Sequence, residues 1–94
     1  MVGTTRLRRK GSWTMEDELK ELLEYLAKSL VDHPEDVHVV ATETDTTVVL
    51  ELTVAHDDIG KVIGKQGRIA RALRTVVKAG AVKNGKRALI EIVD

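Results

Sequence analysis

The sequence lacks cysteine and phenylalanine and contains a single proline and two aromatic residues, Trp13 and Tyr25. Without cysteine the chain can form neither a disulfide nor a thiolate metal site. Two aromatic side chains are too few for a surface of rings stacked on nucleic-acid bases. No apolar run approaches the ~18 residues of a membrane span, and the first residues do not resemble a signal peptide. These absences predict a cytoplasmic protein without metal, cofactor or membrane partner.

The remaining composition is that of one small ordered domain. Hydrophobic residues make up 43% of the 94 residues and charged residues 32%, and a chain of this length has room for a single core. Residues 1–14 show neither a helical nor a strand period and contain a basic cluster. We therefore predict a basic flexible arm at residues 1–14 and a folded domain at residues 15–94, with Trp13 as a hydrophobic staple at the junction.

The formal net charge is zero, but the two signs are separated along the chain. Residues 15–58 contain many acidic residues, with Lys20 and Lys28 as the only lysine or arginine, whereas residues 59–90 contain no acidic residue. The cations of this second segment are Lys61, Lys65, Arg68, Arg71, Arg74, Lys78, Lys83, Lys86 and Arg87. A polyanion would be drawn to that segment, because the local potential steers association. Alternatively, the two segments attract each other within the fold.

The first predicted element is an amphipathic helix that begins at Met15 and ends near Asp32. Thr14 is a suitable N-cap, and the acidic residues of the first turn complement the helix dipole. Pro34 disfavours helical geometry at His33, which limits the helix at its other end. One face is apolar at a 3.6-residue period and consists of Met15, Leu19, Leu22, Leu23, Leu26 and Leu30.

Three segments alternate between apolar and polar residues, as strands do. Residues 37–41 and 47–54 form two such segments, separated by short polar residues at 43–46 that are typical of a turn. In the second segment Val48, Leu50, Leu52 and Val54 share one face. The third segment, near the end of the chain, is marked by Ala88, Ile90 and Ile92. A hairpin and a separate final strand follow from this pattern.

Two helices are predicted between the second and third strands. The first is short, spans residues 57–63 with Asp57 or Asp58 at its start, and is ended by Gly64. The second spans residues 67–79 and ends at Gly80, before an Asn84-Gly85 turn. Its apolar side consists of Ile69, Ala72, Leu73, Val76 and Val77, and its basic side of Arg68, Arg71, Arg74 and Lys78.

The junction of these two helices carries two glycines three residues apart. Gly64, Lys65, Gln66 and Gly67 form a G-x-x-G motif. Glycine at both ends allows a sharp turn and lets a phosphodiester backbone approach without a Cβ in the way. The amides of the junction and the following helix N-terminus attract phosphate oxygens, and Lys65 and Arg68 add charge. By itself the spacing also fits a plain connection between two helices.

The wider context of the motif carries a family resemblance. Val62 and Ile63 precede it, a basic amphipathic helix follows it, and the elements run helix, strand, strand, helix, helix, strand. With the run from Asp58 through the motif to Arg74, residues 15–94 resemble a KH domain of type II, and more specifically the KhpA family of small bacterial KH proteins. The resemblance implies an α+β fold in which one face of a three-stranded sheet is covered by three helices.

The resemblance also implies a groove for about four nucleotides of single-stranded RNA. The motif would clamp the phosphate backbone, with Lys61, Arg68 and Arg71 as further RNA-binding residues. The apolar floor would come from Ile59, Val62, Ile63 and Ile69, although Ile63 could equally be a core residue. Ala70 departs from the family pattern, which has a larger aliphatic residue there. Implied roles are those of an RNA chaperone or post-transcriptional regulator, and implied partners are a second copy or a larger KH-containing RNA-binding protein.

The residues also bear on two other functions. A small-molecule enzyme is not expected, because His33, His38 and His56 lack metal-ligand spacing and no catalytic constellation is visible. A protein-interaction module, in which the fold serves dimerisation and RNA binding is secondary, fits the acidic half and the leucine-rich first helix. Glu43 and Asp45 in the first turn should repel phosphate, so RNA binding is expected to be weak.

Overall fold

The computed structural model describes residues 14–93, which form three helices and one sheet. In chain order the elements are α1 (Met15–Leu30), β1 (His38–Glu43), β2 (Thr47–Thr53), α2 (Ile59–Ile63), α3 (Arg68–Val82) and β3 (Arg87–Val93). Single 3-10 turns lie at Pro34–Asp36, His56–Asp58 and Lys65–Gly67. The predicted α-β-β-α-α-β order is confirmed. The predicted arm, apart from Thr14, lies outside the described residues, as do Trp13 and Asp94.

Helix α1 begins with a reciprocal cap. The Asp17 amide donates to the Thr14 hydroxyl at 3.2 Å, and the Thr14 amide donates to the Asp17 carboxylate at 3.1 Å. This cap satisfies two amides that would otherwise lack acceptors, and it confirms Thr14 as N-cap. The helix ends at Leu30, two residues before the predicted end. Its buried side consists of Leu19, Leu23 and Ala27, packed on the sheet.

The sheet has the order β1-β2-β3, with β1 antiparallel and β3 parallel to the central strand β2. Val48, Leu50 and Leu52 of β2 are fully buried beneath the helices, as the alternation predicted. A parallel pair needs a crossover connection, and α2 and α3 supply it on the face that α1 also covers. The crossover places the junction of α2 and α3 at the surface, where the candidate site lies.

Helix α3 differs from its prediction in two respects. It does not end at Gly80 but continues to Val82. A Cβ at Gly80 would lie 2.7 Å from Leu19 Cδ2, so this glycine permits close packing of α1 and α3. The buried residues are Ala70, Leu73, Val77 and Ala81, so Ala72 and Val76 of the predicted apolar side do not belong to the core. Both are exposed because α1 leaves an apolar groove of about 370 Å³ beside them.

Candidate nucleic-acid interface

The junction of α2 and α3, residues 64–67, is the GxxG loop. Three of its four residues have positive φ: Gly64 (+76°), Gln66 (+58°) and Gly67 (+74°). Gly64 combines its φ with ψ 173°, a region that is almost confined to glycine. Gln66 and Gly67 are left-handed, which is uncommon for a glutamine. The loop therefore makes its turn within four residues.

The two glycines serve different purposes. A Cβ on Gly64 would lie 2.6 Å from Ile69 Cγ1, so this position is closed by the protein itself. A Cβ on Gly67 would meet no atom within 4 Å. Gly64 is thus required by the packing of the loop on α3, whereas Gly67 leaves open surface that a ligand backbone could approach.

Two amides of the loop have no hydrogen-bond acceptor in the described part of the chain. The Gly67 amide donates to the Gly64 carbonyl at 3.1 Å, and the Arg68 amide donates to the Lys65 carbonyl. Among residues 14–93 no acceptor is found for the amides of Lys65 and Gln66. They adjoin the N-terminus of α3, which has neither a side-chain cap nor an acidic residue in its first turn. The positive end of the helix dipole is therefore not neutralised locally.

Two arginines of α3 hold Gln66. Arg68 Nη2 donates to Gln66 Oε1 at 3.1 Å, and Arg71 Nη2 donates to the Gln66 carbonyl at 3.5 Å. The predicted residues Arg68 and Arg71 thus lie at the loop, but both are engaged with it. Lys65 is exposed and makes no side-chain bond within residues 14–93. Its ammonium group is therefore available to bind a ligand.

The predicted apolar floor is only partly accessible. Val62 is 0% exposed and lies in the core, so its assignment to the floor was wrong. Ile63 has the opposite placement, because 37% of its surface is exposed beside the loop. Ile59 and Ile69 are half-buried and pack against the core. Because α2 is five residues long, periodicity could not decide which of its sides would be covered.

Lys61 is directed to a different partner. Its Nζ lies 2.9 Å from Asp32 Oδ2 and 3.8 Å from Asp58 Oδ1. The hydrogen bond and charge of Asp32 raise the pKa of Lys61. This lysine joins the start of α2 to the end of α1, and the structure does not bring its ammonium group to the GxxG loop.

Sequence reasoning missed the role of Asp58, the buried charged residue of the described chain. It occupies the N-cap position of α2, in agreement with the predicted helix start at Asp57 or Asp58, but it is 0% exposed and its side chain makes no capping hydrogen bond. Its Oδ2 instead accepts from the His33 amide at 3.0 Å and lies 3.1 Å from His33 Nδ1. This contact spans 25 residues, and no local sequence pattern could reveal it. Asp58 ties the loop after α1 to the helix that leads into the GxxG loop.

The Asp58 contact changes the titration of both partners. The hydrogen bond that the His33 ring makes to the Asp58 carboxylate, and the negative charge of that carboxylate, raise the pKa of His33 above its ordinary value of 6.5. Burial acts to raise the pKa of Asp58, but the side-chain and backbone hydrogen bonds from His33 and Asp32 oppose it, and the net pKa is lowered. The pair is therefore favoured as imidazolium and carboxylate.

This titration predicts a pH-dependent stability. Because the pKa of His33 is higher in the folded than in the unfolded protein, its contact with Asp58 stabilises the fold fully at pH values below 6.5, the pKa of the unfolded state. This stabilisation is lost as the pH rises through the pKa of the folded state. We expect the melting temperature to be lower at pH 8 than at pH 6. His33→Asn keeps a donor near the Nδ1 position but does not titrate, so it should weaken this dependence. An equal fall in melting temperature in native protein and variant would contradict the assignment.

The acidic turn after β1 is partly neutralised. Lys86 Nζ donates to Glu43 Oε2 and, at 2.8 Å, to the Thr44 carbonyl. The expectation that Glu43 and Asp45 repel phosphate therefore applies mainly to Asp45, which is exposed. A contact across 43 residues brings together an acid and a base that lie in oppositely charged segments of the sequence.

No group of three or more histidine, aspartate or glutamate side chains is placed to hold a metal ion within residues 14–93. In the same part of the chain no helix has the length and hydropathy to cross a membrane.

Known proteins are similar to this chain in sequence and in fold. Residues 20–92 match the family described as KhpA/KhpB, KH domain. A protein named RNA-binding protein KhpA from Clostridium perfringens is 59% identical over 75 residues, which is 80% of this chain and 100% of the relative. The Bacillus subtilis protein of the same name is 46% identical over 79 residues, which is 84% and 98% of the two chains.

A solved structure shows the same fold at low identity. A variant of Era from Aquifex aeolicus, bound to GDP and aluminium fluoride, superposes with a TM-score of 0.65. The match covers 98% of this chain and 35% of that one, with 14% identity. It is therefore a likeness of fold alone.

Proposed function

The chain belongs to the KhpA/KhpB family of KH domains, and on this basis we propose that it binds single-stranded RNA through the GxxG loop. Similar proteins carry the name RNA-binding protein. The observation that best supports the loop as the site is its open surface at Gly67, beside the two unbonded amides of Lys65 and Gln66. Backbone amides, a helix N-terminus and a free ammonium group together suit a phosphate.

In this proposal the residues of the loop and the first turns of α3 contribute in three ways. Gly67 lets the RNA backbone approach, the amides of Lys65 and Gln66 donate to a phosphate oxygen, and the Lys65 side chain neutralises it. Arg68 and Arg71 hold Gln66 in its left-handed conformation and contribute positive potential.

The groove would accept about four nucleotides. Ile63, with the accessible parts of Ile59 and Ile69, supplies its apolar floor. Residues 15–94 constitute the binding domain, and the basic arm at residues 1–14 lies outside it. The proposed setting is the cytoplasm, in an RNA chaperone or post-transcriptional regulator, and no catalytic role is proposed.

A second candidate function is dimerisation, and the apolar groove between α1 and α3 favours it. Leu26 and Leu30 of α1 face Ile69 and Val76 of α3 across it, and Val76 is 44% exposed. A second copy, or a larger KH-containing RNA-binding protein, would cover these side chains. The two functions differ in one requirement, because RNA binding needs Lys65 and Gln66 and dimerisation does not.

The salt dependence of binding tests how many phosphates the loop engages. A tetranucleotide with three phosphates should give a slope of log affinity against log salt of about −2 or shallower, since each neutralised phosphate releases roughly 0.7 counterion. Lys65→Gln should flatten that slope by about 0.7, whereas Lys28→Gln on α1 should leave it unchanged. Affinities would be measured by NMR titration with a tetranucleotide pool. An unchanged slope in Lys65→Gln would exclude a Lys65–phosphate contact.

A further inference from the structure

The cations of α3 include three on the flank that faces away from α1. At 100° per residue, Arg71, Arg74 and Lys78 lie within about 60° of one another, and we call these three residues the basic stripe. All three side chains are exposed. The opposite flank of α3, with Ile69 and Val76, lines the apolar groove beside α1. The basic stripe is thus separate from that groove.

The basic stripe is unfavourable for the helix that carries it. Like charges three or four residues apart repel each other on a helix surface, and a cation near a helix N-terminus opposes the dipole. Helix α1 of the same chain has the opposite arrangement, with Glu16 four residues before Lys20 and Glu24 four residues before Lys28. Stability of the helix alone does not explain the basic stripe.

No partner for two of these cations is found in the described chain. Ion pairs of basic side chains are found within residues 14–93 at His33, Lys61 and Lys86, among others, but not at Arg74 or Lys78. The side chains of Arg74 and Lys78 have neither an ion pair nor a hydrogen bond in that range. Because these two side chains pair with none of the acidic residues of the described chain, an anion from outside the domain is the natural counter-charge.

The basic stripe begins where the GxxG loop ends. Arg71 Nη2 donates to the Gln66 carbonyl at 3.5 Å, so the first residue of the basic stripe touches the loop. From Arg71 to Lys78 the helix rises about 10 Å, in steps of about 4.5 and 6 Å. A regular row of cations of this kind suits successive phosphates of one strand. A strand held at the GxxG loop therefore has a charged path along which it can continue.

We propose that the basic stripe is a second backbone-binding site, which takes the phosphates of an RNA strand leaving the GxxG loop. This inference rests on the proposed function of the loop. The footprint then exceeds the about four nucleotides of the groove by roughly one phosphate for each cation of the stripe. Contacts to phosphate carry no base information, so the basic stripe adds affinity for longer RNA without adding sequence preference.

The test compares oligouridines of four and ten nucleotides on the full chain. Arg74→Gln with Lys78→Gln should lower decanucleotide affinity about tenfold at physiological salt, because two phosphate contacts are lost. Tetranucleotide affinity should change less than about twofold. The melting temperature should stay the same or rise, because like-charge repulsion is removed. Lys20→Gln with Lys28→Gln is the control with the same charge change, and it should leave the ratio of the two affinities as in the native protein.

Three outcomes would overturn the inference. They are equal losses for both oligonucleotides, an unchanged decanucleotide affinity, and an equal loss in the α1 control variant. The proposed function is judged separately, by whether native protein binds the tetranucleotide and the Lys65→Asp, Gln66→Asp variant does not. A strand that binds at the GxxG loop alone would therefore support the proposed function while contradicting the basic stripe.

Discussion

Lys65→Asp combined with Gln66→Asp is expected to lower tetranucleotide affinity about 100-fold or more. The Lys65 contact with phosphate, worth about 1.5–3 kcal/mol, becomes repulsive, and the second substitution adds another carboxylate beside it. The fold should persist, since both side chains are exposed. Aspartate is also among the residues most tolerant of the left-handed conformation that Gln66 adopts. The melting temperature should therefore change by no more than about 4 °C.

The matched control for this variant is Lys28→Asp with Ser29→Asp on α1. It changes the charge by the same amount at two exposed positions away from the loop. NMR titration would report affinity, and thermal unfolding would report stability. If the loop variant is folded and keeps its affinity, or if the control loses as much affinity, the clamp is not at the GxxG loop.

Substitution of the two loop glycines is expected to affect the stability of the protein to different extents. Gly64→Ala should lower the free energy of unfolding by about 2–6 kcal/mol, because a glycine-only conformation and an overpacked contact each cost about 1–3 kcal/mol. The contact is the 2.6 Å approach to Ile69 Cγ1. The melting temperature should fall by roughly 10 °C or more. Gly67→Ala should cost only about 1 kcal/mol, the ordinary penalty of a left-handed alanine.

A double-mutant cycle separates the two contributions at Gly64. Ile69→Ala removes Cγ1 and Cδ1, which lie 2.6 and 2.9 Å from the added Cβ, but keeps the Ile69 Cβ at 2.9 Å. Gly64→Ala should therefore cost less in that background, while the backbone penalty and part of the steric cost remain. Denaturant unfolding of the four proteins gives the coupling energy. Additive losses would show that the contact with Ile69 does not determine the requirement for glycine.

Gly67→Asp is the functional counterpart of Gly64→Ala. It places a Cβ and a carboxylate on the open surface where the RNA backbone is proposed to pass, so tetranucleotide binding should be lost from a folded protein. Arg71→Glu makes a larger change in charge beside the loop and should cost less affinity. Equal losses in the two variants would indicate diffuse attraction by positive charge rather than a seated backbone.

Much of the fold was predictable because its signals are local. The cap at Thr14, the alternation in β2 and the position of the GxxG loop each depend on residues that are close in sequence. The structure confirms all three. The predicted end of α3 at Gly80 was wrong, because this glycine lies inside the helix where α3 packs closely on α1. The exposure of Val76 likewise depends on the position of α1.

The features of the candidate site can likewise be separated into those with local signals in the sequence and those that depend on long-range contacts. The order of the elements, the buried face of the sheet and a glycine-bounded loop before a basic helix could be predicted from the residues alone, because backbone propensity and periodicity are encoded within a few neighbouring residues. In contrast, the burial of Val62 and exposure of Ile63, the pairing of Lys61 with Asp32 and the contact of Asp58 with His33 follow from the packing of the folded chain. These outcomes depend on contacts between segments far apart in the chain, and those contacts exist only after the helices have packed on the sheet.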